Sequence, residues 1–352
     1  MTRDSLQSQE LNGSREVSDL VLGSKQTMGE ISVELYCATF NEFLQSALGA
    51  TFSAVSNSSS INITVDPATS KFTRASGSYV SDGFAAGDLI KHPSLTGDNA
   101  KVFVVESVSA LFVVVKVPTD VTLTVETTAS VVRFPAVLVV GDERQSFSIL
   151  THYEDADNGA GIYQLTKGVE VVGFSFDISV NALVTGTFTT IGRTTEYGAS
   201  VPSGSTYATP VLQEVLSSVQ GTIQDANSTL GYVTSMTCTN DNAASAQFEI
   251  GSNSVAFIEK GRTNNTLSLS TFFDDTTLLA KFTGDTESSI FVALMPSNRA
   301  KAVAFNYGRV IYTSGAPEVA GEGSITQSLE AQALQGTTPG AQESSIEIQQ
   351  MS

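Results

Sequence analysis

The chain has 352 residues, with 36 Asp and Glu against 18 Lys and Arg, and a net charge of −18. Only 15% of it is charged and 41% hydrophobic, Ser and Thr make up roughly a quarter, and Trp is absent. That balance argues against gripping nucleic-acid phosphates, which needs clustered cations, and against docking on anionic membranes. Two cysteines, Cys37 and Cys238, make neither a disulfide framework nor a Cys-rich zinc site, and read as small buried apolar residues.

Residues 1–30 are polar and Gly/Ser-spaced, without an apolar leader stretch. They predict an extended arm that orders by docking, on a soluble chain made in the cytosol without a secretory signal. Thr39 and Glu42 have the spacing of a capping box. Phe40, Phe43, Leu44, Ala47 and Leu48 follow on one helical face, and Gly49 stands where a C-terminal cap is wanted. This is a short helix expected to lie on a sheet.

From Val55 to Arg133 the text turns to short β segments. Ile61, Ile63 and Val65 alternate with polar residues. Phe72–Arg74, Lys101–Val108, Ala110–Val117 and Val121–Val125 read as further strands, separated by Asp82-Gly83 and Gly87-Asp88 turns. Their charges nearly balance, which predicts a small barrel or sandwich inserted in a larger domain. Beyond Phe134, Gln145–Tyr153 reads as a strand, followed by the acidic, Gly-rich loop of Glu154, Asp155 and Asp157. Two long strands are expected within Val169–Arg193. Phe174, Phe176, Ile178 and Val180 face one way and Ser175, Asp177 and Ser179 the other, while Leu183, Thr185, Thr187 and Thr189 share a face of the second strand. Residues 194–210 predict a loop, and 211–220 either a short helix or a strand. More strands are expected at 233–238, 246–250, 256–258, 266–273, 290–295, 302–305 and 310–312, with a second helix at 275–282. The tail from Ser314 is polar, acidic and free of Lys and Arg, with weak alternation at Ile346 and Ile348. No apolar run approaches the roughly 20 residues of a membrane helix.

Catalytic furniture is sparse. His152 stands beside Tyr153, Glu154, Asp155 and Asp157, a set that could serve acid–base or metal chemistry but reads better as a solvated loop. Asp155-Ala-Asp157-Asn158-Gly159 resembles part of a calcium loop and lacks its later bidentate Glu. No nucleophile elbow and no phosphate-binding glycine loop is present. Acidic pairs such as Asp142-Glu143 and Asp274-Asp275 read as turn formers. No catalytic residue, metal or cofactor is assigned. Long two-faced strands with open edges and polar tethers describe a self-assembling protein better than an enzyme.

Several stretches, in this order, resemble the tail tube (major tail) proteins of long-tailed bacteriophages. They are the helix Phe40–Gly49, the segment Phe72–Asp88, Ser146–Tyr163 with Gly168–Phe176, Val233–Asn242, Ile250–Ser252, Glu259–Arg262 and Phe272–Asp275. The likeness spans most of 30–312. It implies an all-β fold of tail-tube type, a β-sandwich or rolled barrel with one or two flanking helices and an inserted small β domain. The implied division is an arm at 1–30, a tube domain at 31–54 and 134–312, an insert at 55–133 and an arm at 313–352. The resemblance also implies hexameric rings stacked into a tube in the virion, assembled on a tape measure protein, joined to tail-end and baseplate proteins, and conducting DNA without holding it. Arms and loops would bridge rings, among them Glu154, Asp155 and Asp157. Ser175, Asp177 and Ser179 are candidates for the lumen, with an outer solvated face as the opposite assignment. A virion decoration or fibre-type β protein binding a host surface is the alternative, and a secreted β-sandwich carbohydrate enzyme a further one.

Overall fold

The computed structural model describes residues 2–8, 16, 17, 19–157, 159, 161–206, 214–318, 323–336 and 343–352. The fold is all-β with two short helices, and it is built on one large and one smaller antiparallel sheet.

The large sheet folds into a sandwich. Its first layer runs Thr2–Gln7, Leu20–Glu34, Thr185–Gly192, Ile162–Ser179, Val233–Asp241, Asn264–Phe272 and Thr326–Ala333 in spatial order. The second continues through Ala302–Ser314, Ser288–Leu294 and Thr222–Asp225, with Glu347–Met351 and Ala136–Val139 paired alongside Ala302–Asn306. Period-two alternation drives the stacking, because each inner strand turns one apolar row inward. Phe174, Phe176, Phe188, Met236, Cys238, Leu267 and Leu269 of the first layer meet Ile290, Val292, Phe305, Tyr307 and Ile348 of the second in one core. Phe176 crosses it, with its ring 5.4 Å from Phe305 and 5.7 Å from Phe188. Burial pushes the Cys238 thiol in this core up to about 12, as expected of an inert small side chain.

Helix α1 spans Asn41–Leu48 and buries Leu44, Ala47 and Leu48. Gly49 closes it at φ +67, its N–H donating to Gln45 O. The expected capping box does not form. Phe40 is the N-cap and no side chain caps the helix. The Phe40 ring instead lies 5.8 Å from Phe188. Burying a large apolar side chain is worth about 1.5–3 kcal/mol against about 1 kcal/mol for a cap, so packing sets the start. Helix α2, Thr277–Thr283, seats Leu278 and Phe282 on the same core.

The smaller sheet holds eight strands between Ser56 and Phe134. Ser56–Asn57 and Ile61–Asp66 are successive stretches of one path, and Glu126–Ser130 and Arg133–Phe134 of another. These paths pair with each other, so the sheet closes into a barrel. Its own core includes Ile63, Val65, Phe72, Phe103 and Val113. His92 is fully buried there, stacked 5.0 Å from Phe72 with Nε2 3.1 Å from Tyr79 Oη, and burial pulls its pKa down to about 3. The expected strand 121–125 keeps its alternation, with Val121 and Leu123 buried, but the ladder begins only at Glu126.

Three expectations are corrected. The stretch 1–30, expected to lack periodicity, is largely strand among its described residues. Leu20–Glu34 is a 15-residue strand that pairs with Thr185–Gly192, and Thr2–Gln7 folds back on it. Residues 194–198, expected in a loop, are a strand on Ile162–Ser179. Of the expected arm 313–352, two described stretches are instead strands of the fold. Thr326–Ala333 lies inside the first layer, and all five residues of Glu347–Met351 are buried. Its polar side chains have partners across the seam with the barrel: Leu89 N donates to Gln349 Oε1 at 2.9 Å, and Gln349 Nε2 donates to Asp88 Oδ1 at 2.9 Å. Of the undecided stretch 211–220, residues 211–213 lie outside the described residues. Val215 and Ser217 form bridges and Ser218–Gln220 a 3-10 turn.

Candidate functional site

The first layer has two faces because its strands alternate. Phe174, Phe176 and Ile178 are buried, so Ser175, Asp177 and Ser179 point away from the core. The register lines up the same face of its neighbours. One row across the layer reads Ser32, Thr187, Ser175, Thr239, Thr266 and Gln332. The next reads Glu34, Thr185, Asp177, Thr237, Ser268 and Glu330. A third reads Ser179, Ser235, Ser270 and Ser328. No Lys or Arg stands in these rows, and their charges are the carboxylates of Glu34, Asp177 and Glu330.

The hydroxyls hold those carboxylates. Thr237 Oγ1 donates to Asp177 Oδ1 at 2.7 Å, and Ser268 Oγ donates to Glu330 Oε1 at 2.8 Å. Ser175 Oγ and Thr239 Oγ1 are 3.4 Å apart. Fixed acceptors with no cation among them give a hydrated wall that repels polyanions within a screening length of about 8 Å at physiological salt. The sequence singled out three of these residues and the Thr185, Thr187 and Thr189 row. It missed Thr237, Thr239, Ser268 and Glu330; the period-two spacing of hydroxyls along their strands could have found the first three, and the polar–apolar alternation of Thr326–Ala333 the last.

On the N-terminal side of Glu170 the Ile162–Ser179 strand leaves the sandwich. With Phe147–Tyr153 on one side and Thr194–Gly198 on the other it forms a three-stranded finger, about 25 Å long at the usual rise per residue. Glu154, Asp155 and Asp157 sit exposed in the turn at its tip, Asp157 at φ +52. None of them makes an ion pair among the described residues. The structure therefore separates the two predicted sets, one on the flat of the layer and the other at the finger's end. His152 is stacked on Tyr163 at 4.2 Å. Among the described residues no three His, Cys, Asp or Glu side chains are grouped to hold a metal. Asn158, part of the calcium-like stretch, lies outside them.

The barrel sits on the second layer. Leu89, Val102 and Val104 pack with Phe291, Met295 and Met351. Arg299, nearly buried, donates to both oxygens of Asp120 at 2.9 and 3.1 Å, which holds the Asp120 carboxyl below its ordinary pKa. Burial raises the Glu347 carboxyl beside this seam to about 7 and raises Asp88 as well.

A family model described as phage tail tube protein matches residues 1–333. No curated protein matches the chain.

Proposed function

The chain belongs to the phage tail tube family, and we propose that it assembles into six-fold rings that stack into a conduit for DNA ejection. The observation that carries this reading is the cation-free face of hydroxyls and carboxylates, in register across six strands of the first layer. A conduit must let phosphates pass without holding them. Counterion release on cationic side chains is what makes proteins retain DNA, and among the described residues these rows offer no cation. Ser175, Asp177 and Ser179 would then line the lumen.

Ring closure has a physical motive. Among the described residues nothing pairs with the outer edge of the Leu20–Glu34 strand between Met28 and Glu34, and such an edge recruits another chain. The finger carrying Glu154, Asp155 and Asp157, together with the Thr2–Gln7 and Leu20–Gln26 hairpin, would bridge adjacent rings. The barrel, residues 55–133, would be an inserted domain seated on the layer facing away from the lumen. Tape measure, tail-end and baseplate proteins are the proposed partners, the virion tail the proposed location, and the host cytoplasm the site of synthesis. The role is structural rather than enzymatic. Negative-stain microscopy of the purified chain tests it: tubes or six-fold rings support the reading, and monodisperse monomers or trimers that bind a host surface refute it.

A further inference from the structure

Among the described residues, the two ends of the first layer carry different sets of exposed apolar side chains. At the end where Ser179 turns toward Thr185, four exposed apolar residues sit on adjoining strand ends: Val180, Tyr232, Phe272 and Ile325. Backbone bonds join these strand ends. Val180 N donates to Thr234 O, Phe272 N to Tyr232 O, and Phe273 N to Ile325 O. Tyr232 is 65% exposed and held at φ +61. That conformation is uncommon for a bulky non-glycine residue, and such strain tends to persist where it serves a function.

The opposite end carries the hairpin of Thr2–Gln7 and Leu20–Gln26, which continues past Thr27, where pairing with Gly192 stops. Its base is tied to the chain, Lys25 N donating to Asn253 O at 2.8 Å and Thr27 Oγ1 lying 2.7 Å from Thr195 Oγ1, and its strands run about 20 Å past Thr27 at the usual rise. Leu6 lies opposite Val21 on one face, while Leu20 and Leu22 lie on the other, and all four are exposed. A two-stranded ribbon is marginal in water by itself, and one with apolar side chains on both faces needs a surface to cover it.

We infer that the Val180–Tyr232–Phe272–Ile325 rim is the docking surface for the N-terminal hairpin of a second copy of this chain, stacked head to tail. The inference rests on the tube reading and names the acceptor that reading lacks. Donor and acceptor lie at opposite ends of the same strands, so one chain does not satisfy both. A translated copy brings them together, and a contact between two different patches of identical chains propagates as an open stack. Burial of aromatic and leucine side chains supplies the attraction, consistent with an acidic chain joining its own copies without ion pairing.

The test uses two variants of the full chain, rim-defective Tyr232→Asp/Phe272→Asp and hairpin-defective Leu20→Asp/Leu22→Asp, with Tyr232→Phe/Phe272→Leu as the conservative rim control. All substituted positions are exposed, and thermal denaturation checks that each variant keeps its fold. The wild type is expected to form long tubes and each defective variant single rings. An equal mixture of the two is expected to form two-ring stacks and nothing longer, and the conservative variant to restore tubes. Long tubes from either defective variant alone would overturn the inference while leaving the tube reading intact. So would a mixture that yields only single rings. A wild-type chain that forms neither rings nor tubes would refute the tube reading itself, and this inference with it.

Discussion

Replacing Asp177 with Lys separates the proposed luminal face from the fold beneath it. Asp177 is exposed between buried Phe176 and Ile178, and its carboxylate accepts a bond from Thr237 Oγ1. Losing that bond costs about 0.5–1.5 kcal/mol, against a total stability of about 5–15 kcal/mol, so Asp177→Lys is expected to fold and, on the proposed function, to assemble. Each chain's charge rises by two from −18. In a six-fold ring about six ammonium groups then face the lumen. That is the lower end of the range for which DNA affinity changes about 10³–10⁵-fold between 50 and 200 mM salt. The assay is ejection from purified virions, triggered in vitro and followed by a dye that brightens on released DNA. Asp177→Lys particles are expected to eject slowly at 50 mM salt and to recover at 200 mM. Wild-type ejection rates at both salt concentrations would place Asp177 outside the lumen and refute the reasoning.

Phe176→Ala removes a fully buried ring that touches Phe174, Phe188 and Phe305, and is expected to cost about 3–5 kcal/mol in urea unfolding; a loss under 1 kcal/mol would contradict the sandwich core. Glu347 binds its proton at about 7 in the folded chain against 4.5 ordinarily, so its contribution to stability is full below about 4.5 and is lost as pH rises through about 7. The urea midpoint of wild type relative to Glu347→Gln should therefore fall from pH 5 to pH 8, and a relative rise would reverse the assigned sign. Arg299→Ala breaks the paired bonds to Asp120, an ion pair whose Asp120 end is half exposed and which solvent screening limits to about 1 kcal/mol. Limited proteolysis should then cut the junctions at 53–55 and 134–136 faster while the barrel core stays protected, and unchanged cutting would show that the apolar seam alone holds the barrel.

What could be read in advance followed from how each residue is covered. The Phe174–Ser179 alternation was legible because one face is dry and the other wet, and α1 because its apolar face is unbroken. Glu347–Met351 was not, since a strand of Glu, Ile, Gln, Gln and Met looks like tail until Gln349 is seen bonded to Asp88 and to Leu89 N across the seam. Leu20–Glu34 escaped for the opposite reason, because much of it is exposed and shows no buried period. The face itself was half legible. Asp177 and its neighbours stood out on one strand; the spacing of hydroxyls marks an outer face on the next strands too, and the register then aligns Thr237, Ser268 and Glu330 with Asp177 in one row.

The central claim is that the hydroxyl and carboxylate rows around Asp177 form the inner wall of a tube. A cryo-electron microscopy reconstruction of tubes assembled from the purified chain tests it most directly. The account predicts six-fold rings with Ser175, Asp177 and Ser179 on the inner surface and the barrel of residues 55–133 on the outside. A reconstruction with that face outward, or with the barrel in the channel, would contradict it.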